Sequence, residues 1–154
     1  MASAHPRYFE DFEAGERFTT KERKVERKDV LAFAELTWDH NSLHTDDSFA
    51  KSQGFQGGAI AHGLLTLSMA LGLWDSLGMT GNTIVAFAGI NKVSFRAPVF
   101  PGDVLHLESE VASTRGLKSR PDAGLVTLEM KMAKSGGEVV LEAEAVLILR
   151  KRVA

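Results

Sequence analysis

The segment AHGLLTLSMALGLWDSLG, residues 61–78, decides the fold. One apolar stripe recurs in it at helical spacing and comprises Leu64, Leu67, Leu71 and Trp74. Further apolar residues occupy the other sides of the predicted helix, and a helix that is apolar nearly all round is buried. Glycine and turn-forming residues end the segment. The sequence therefore predicts a long helix at the centre of the molecule.

Four segments after this helix alternate between apolar and polar residues, as strands with one packed face do. They are approximately residues 83–95, 103–113, 124–134 and 138–149. Ser135-Gly136-Gly137, between the last two, predicts a tight turn. Residues 18–25 predict an earlier strand. The alternation favours an antiparallel sheet.

These elements together predict an α+β fold in which an antiparallel sheet is wrapped around a long central helix, the arrangement called a hot dog. A second helix is predicted over residues 28–38, where apolar residues again recur at helical spacing. The chain has 154 residues and no linker-like segment, so we expect a single hot-dog domain over residues 1–154.

Composition narrows the classes of function. The net charge is -2, and the lack of a basic excess argues against nucleic acid or an anionic membrane as a partner. The absence of cysteine excludes disulfides, thiolate nucleophiles and cysteine-ligated metals. The most apolar segment, residues 63–74, is too short to span a bilayer, and the N-terminus lacks a signal-peptide core. We expect a cytoplasmic protein.

Residues 39–44, with the sequence DHNSLH, form the richest cluster of chemically active side chains. A carboxylate and an imidazole can divide proton transfers between them, so Asp39 and His44 are a candidate catalytic pair. Asn41 could position either partner by hydrogen bonding. Alternatively, Asp39 and Asn41 form only an Asx turn and His44 caps a local group. His40 is expected to be a surface or supporting residue.

His40 and His44 also have a spacing found among metal ligands. The segment that holds them is predicted to be a loop, and no third ligand follows at a suitable spacing. No metal site is therefore predicted.

A second cluster, GGAIAHG at residues 57–63, leads into the central helix. Free N–H groups at a helix start attract negative charge, and Gly63 allows a ligand oxygen to approach the backbone. This pattern predicts an oxyanion site at Gly63. The glycines are alternatively explained by a tight turn and close helix packing. His62 is either a substrate contact or a histidine satisfied at the helix N-terminus.

Two basic residues, Lys92 and Arg96, share one face of a predicted strand. They could contact the phosphates of coenzyme A. The alternative is an ordinary solvated face.

Three motifs occur in order along the chain: Asp39-x-Asn41-x-x-His44, then Ile60-Ala61-His62-Gly63-Leu64-Leu65, then Phe95-x-x-Pro98-Val99-x-x-Gly102-Asp103. In this order and spacing they resemble the MaoC-like dehydratases, which include the (R)-specific enoyl-CoA hydratases. The similarity covers about residues 8–149.

The resemblance implies a hydro-lyase of fatty acid metabolism that reversibly hydrates a 2-enoyl-CoA to a 3-hydroxyacyl-CoA. It implies that Asp39 and His44 hold the water and move its protons, that Asn41 supports them, and that the Gly63 amide meets the thioester carbonyl. It implies neither a redox cofactor nor a metal, since coenzyme A enters as part of the substrate. It also implies a homodimer, or an assembly of dimers, with the acyl tunnel at the subunit interface.

The chain departs from the family pattern beside the catalytic pair. Trp38 and Ser42 stand where the family usually has glycine and proline, and His40 is unusual next to the aspartate. These differences affect the expected identity of the substrate more than the expected type of reaction. Two alternatives remain, since fold alone does not decide function: an acyl-CoA thioesterase, and a non-catalytic subunit that binds acyl-CoA or an acyl carrier.

Overall fold

The computed structural model describes residues 5–153 as a single sheet with helices packed against it. In this part of the chain the α-helices are α1 (Arg27–Thr37), α2 (Ser42–Thr45), α3 (Asp47–Ser52) and α4 (Gly63–Asp75). The strands are β1 (Arg17–Thr19), β2 (Arg23–Lys24), β3 (Ile84–Phe95), β4 (Val104–Gly116), β5 (Ala123–Lys134) and β6 (Val139–Arg150). A short 3-10 helix, Phe9–Asp11, lies before β1.

The strands pair antiparallel in the order β1-β4-β5-β6-β3, and β2 also pairs with β4. The predicted antiparallel sheet is thus confirmed, as are its four long strands. The single early strand predicted over residues 18–25 is wrong, because it is divided into β1 and β2. At the break, the Thr20 hydroxyl accepts the N–H of Leu107 at 2.9 Å, so a side chain replaces the backbone in the ladder.

The central helix is α4, which begins two residues later and ends three residues earlier than predicted. Its buried residues are Leu65, Thr66, Leu67, Met69, Ala70, Leu73 and Trp74. The predicted stripe is wrong for Leu64, which is 62% exposed, because the sheet covers only part of the helix. Each fully buried Leu or Met stabilises the fold by roughly 1.5–3 kcal/mol. The antiparallel sheet around this helix confirms the hot-dog fold.

The segment before α4 is more ordered than predicted. The helix predicted over residues 28–38 is α1, with Val30 and Ala34 buried. Two short helices, α2 and α3, follow α1, and α2 lies in the segment predicted to be a loop. Within residues 5–153, no helix has the length and apolar character needed to cross a membrane.

Trp38 ends α1 in the left-handed conformation, with φ of 65°, and its side chain is 86% exposed. A β-carbon in this conformation costs roughly 1–2 kcal/mol, which glycine avoids. We expect Trp38→Gly to raise the free energy of unfolding by about 1 kcal/mol in urea denaturation at fixed protein concentration. Trp38→Ala keeps the β-carbon and should give no such gain. An equal gain in both variants would assign the cost to the indole instead.

Candidate active site

Asn41 connects the two residues of the predicted catalytic pair. Its side-chain oxygen accepts the N–H of Leu43 at 2.9 Å and thereby caps α2, the helix that carries His44. Its own N–H donates to a carboxylate oxygen of Asp39 at 3.2 Å. The Asx-type turn considered from the sequence is therefore present, and it links Asp39 to the helix of His44.

The ring of His44 is fixed by the chain that leads into α4. Its Nδ1 lies 2.8 Å from the carbonyl oxygen of Ile60, and the N–H of Ile60 donates to the carbonyl of Leu43 at 2.9 Å. A carbonyl oxygen can only accept, so Nδ1 carries a proton and donates it. Nε2 is left to accept or deliver the proton that the chemistry moves.

Three side chains converge beside the start of α4. One carboxylate oxygen of Asp39, one ring nitrogen of His44 and one ring nitrogen of His62 all lie within 4.8 Å of one another. The rings of His44 and His62 are stacked, with centroids 3.8 Å apart and an angle of 27° between their planes. Asp39 is exposed, His44 is partly buried, and His62 is 2% exposed. The structure therefore brings the predicted pair together and places His62 beneath it.

Asp39, His44 and His62 could also hold a metal ion, because each offers one ligand atom and these atoms lie within 4.8 Å of one another. His40, the histidine first considered as a ligand beside His44, instead points to Glu35, with its Nε2 3.6 Å from the carboxylate. His62 is the third donor that the spacing did not show. One nitrogen of each ring is already engaged by a backbone carbonyl: Nδ1 of His44 by Ile60, and Nε2 of His62 by Asp39.

The first turn of α4 offers hydrogen-bond donors next to this cluster. The N–H groups of Leu65 and Thr66 bond to the carbonyl of His62 at 3.0 and 3.2 Å. Those of Gly63 and Leu64 come earlier in the helix, where no intrahelical acceptor exists. The N-terminal end of a helix favours negative charge. This end of α4 can therefore stabilise an oxygen that gains negative charge during a reaction.

Asp47 anchors the segment that enters α4. One of its carboxylate oxygens accepts the N–H of Ala59 at 2.8 Å and the Arg27 guanidinium at 3.2 Å. The Ala59 N–H and the Arg27 charge outweigh desolvation and hold the pKa of Asp47 below its ordinary value. Gly58 lies against the same carboxylate with φ of 95°, and a β-carbon there would be 2.7 Å from an oxygen of Asp47. Close packing against Asp47 therefore explains the glycine at position 58.

Lys92 and Arg96 lie elsewhere in the chain. Lys92 Nζ is 3.3 Å from a carboxylate oxygen of Glu144, and an Arg96 guanidinium nitrogen is 2.9 Å from one of Glu142. Both basic residues line an open groove on the outer face of the sheet, and neither Asp39 nor His44 belongs to its lining. The structure therefore does not bring these two cations to the cluster.

The sequence profile of the MaoC like domain matches residues 11–133. The chain belongs to the MaoC-like family. This MaoC-like domain is 35% identical over 145 residues to 3-hydroxybutyryl-CoA dehydratase of Methylorubrum extorquens, covering 94% of this chain and 85% of the relative. It is 34% identical over 121 residues to the (R)-specific enoyl-CoA hydratase of Aeromonas caviae, covering 79% and 84%.

A solved structure is similar over the full length of this MaoC-like domain. It is the monoamine oxidase regulatory protein of Archaeoglobus fulgidus, with a TM-score of 0.90 and 36% identity. The match covers 99% of this chain and 100% of that one.

Gly63 packs against the ring of Phe95, a contact between distant parts of the chain that no sequence pattern indicates. A β-carbon on Gly63 would lie 2.7 Å from the nearest ring atom, and Phe95 is 52% exposed, so the ring can shift. We expect Gly63→Ala to lower the free energy of unfolding by about 1 kcal/mol. In a Phe95→Ala background the same change should be neutral or stabilising, because alanine favours the helix. Urea denaturation of the four proteins in this double-mutant cycle measures the coupling, and additive effects would contradict the contact.

Proposed function

We propose that this MaoC-like domain is a hydro-lyase that reversibly hydrates a 2-enoyl-CoA to a 3-hydroxyacyl-CoA. The observation that carries the proposal is the approach of the Asp39 carboxylate and the His44 ring within 4.8 Å, beside the start of α4. A 3-hydroxybutyryl-CoA dehydratase and an (R)-specific enoyl-CoA hydratase among its relatives support the class of reaction.

In the proposed reaction, Asp39 and His44 hold one water molecule between them. The water oxygen bonds to C3 of the enoyl thioester as one member of the pair takes a proton from it. A proton is delivered to C2, so that the elements of water are added across the double bond. His44 acts through Nε2, because its Nδ1 is engaged by Ile60. Dehydration uses the same groups in reverse.

Negative charge builds on the thioester oxygen while the C3–O bond forms. We assign its stabilisation to the N–H of Gly63 and the N-terminal end of α4, which lie next to the acid–base pair. The reaction leaves the oxidation state of the substrate and water together unchanged. It therefore needs no redox cofactor, and coenzyme A enters only as the carrier of the acyl group.

The first test is hydration of crotonyl-CoA, followed by loss of the enoyl-thioester absorbance. Asp39→Asn keeps the oxygen that accepts the Asn41 N–H, so the turn is retained while the carboxylate is lost. We expect Asp39→Asn and His44→Gln each to lower kcat by roughly 10²–10⁴-fold, as loss of general acid–base catalysis does. His40→Gln is the matched control, because His40 lies outside the cluster and should retain full activity.

A parallel assay for released thiol separates the alternatives. Thiol release from acyl-CoA that depends on Asp39 would replace the hydratase assignment with a thioesterase. Binding of acyl-CoA with neither reaction, across short and branched enoyl thioesters, would identify a binding subunit.

We also propose that the protein is a homodimer, or an assembly of dimers, joined through β3. This strand has 12 residues, stands at the edge of the sheet and pairs only with β6 in residues 5–153. Phe87, Val93 and Phe95 on it are 47%, 37% and 52% exposed. Long apolar edge strands are normally covered in native proteins. A second copy pairing along β3 provides that cover and supplies backbone partners.

Phe87→Glu should convert the dimer to a monomer, because it places a charge within the apolar edge. Thr19→Glu on the short opposite edge strand β1 is the control and should leave the mass unchanged. Light scattering after size-exclusion chromatography measures the molecular mass of both variants. A monomeric wild-type protein at assay concentration would contradict the proposed dimer.

A further inference from the structure

His62 is a buried titratable residue that the proposed mechanism does not use. Its side chain is 2% exposed, and its Nε2 lies 2.9 Å from the backbone carbonyl oxygen of Asp39. The His44 ring stacks on it at 3.8 Å, and the Phe33 ring from α1 packs edge-on with centroids 4.9 Å apart. The imidazole therefore touches both members of the proposed catalytic pair, as well as the helix that precedes them.

The hydrogen bonds determine which nitrogen of His62 carries its proton. The Asp39 carbonyl can only accept, so Nε2 carries a proton and donates it. Nδ1 is buried and has no hydrogen-bond partner among residues 5–153. Nε2 is therefore the nitrogen that holds the Asp39 segment, and Nδ1 has no such role.

We propose that His62 is a positioning residue, which holds the backbone of Asp39 through its Nε2–H and thereby sets the distance between the Asp39 carboxylate and His44. This inference rests on the proposed function. Trp38 and Asp39 follow the end of α1 and are exposed, so the bond from the buried ring ties this segment to the N-terminus of α4. Without the bond, the Asp39 backbone keeps its N–H bond to the Thr37 hydroxyl at 3.3 Å, which ties it to α1, and the turn at Asn41 links its carboxylate to the helix of His44.

Three substitutions separate the hydrogen bond from the shape of the ring. The amide nitrogen of glutamine lies as many bonds from Cα as Nε2 of histidine, so His62→Gln can still donate to the Asp39 carbonyl. His62→Asn carries the same amide on a shorter side chain that does not reach. His62→Phe keeps an aromatic ring for His44 to stack on but has no donor.

We expect His62→Gln to retain kcat for crotonyl-CoA hydration within about tenfold of wild type. We expect His62→Asn and His62→Phe to lower kcat by about 100-fold, as displacement of a catalytic group does. KM should change little, because substrate binding is not altered. Equal losses in all three variants, in proportion to their fall in melting temperature, would reduce His62 to a structural role. Full activity in His62→Phe would overturn the proposal.

A nitrogen–proton correlation spectrum of the histidine-labelled wild-type protein tests the bond without turnover. The signal of His62, assigned by its absence in His62→Gln, should show a proton on Nε2. Protonation on Nδ1 instead would overturn the inference even in an active enzyme. A wild-type protein that hydrates no enoyl thioester but shows the Nε2 proton would count against the proposed function and leave the hydrogen bond established.

Discussion

The burial of α4 beneath the sheet is the interaction on which the candidate site depends. Leu67, Leu73 and Trp74 join the same core as the inward residues of β4, β5 and β6, and this packing holds the helix in place. A helix held along its length has its N-terminus held too. The N–H groups of Gly63 and Leu64 are consequently presented at one defined place, and His62 is buried directly beside them.

The chemically active residues are attached to that helix end by backbone acceptors. His44 donates to the carbonyl of Ile60, and His62 donates to the carbonyl of Asp39. Each bond also dictates which ring nitrogen stays available, since a carbonyl cannot donate. The geometry of the site thus follows from where the main chain runs, and the side chains respond to it.

Short helices between α1 and α4 are stabilised by polar caps because they are too short to be stable alone. Asn41 caps α2, and Asp46 caps α3 by accepting the N–H of Phe49 at 3.0 Å. Asp47 then ties α3 to the chain that enters α4. The same residue types that indicate a loop in the sequence therefore order this segment. The outer face of the sheet, in contrast, carries its charges in exposed ion pairs, and such pairs contribute little to stability.

The sequence by itself determined the buried central helix, the helix α1, the four long antiparallel strands and the two motifs that hold Asp39, His44 and Gly63. Local periodicity and turn residues are sufficient for these, because each depends on neighbours a few positions away. Only the tertiary structure decided that Leu64 is exposed, that Lys92 and Arg96 line a groove without Asp39 or His44, and that His62 joins Asp39 and His44. These features depend on contacts between residues far apart in the chain, several of them to backbone carbonyls. Every residue has a backbone carbonyl, so no sequence pattern can show which one accepts a hydrogen bond.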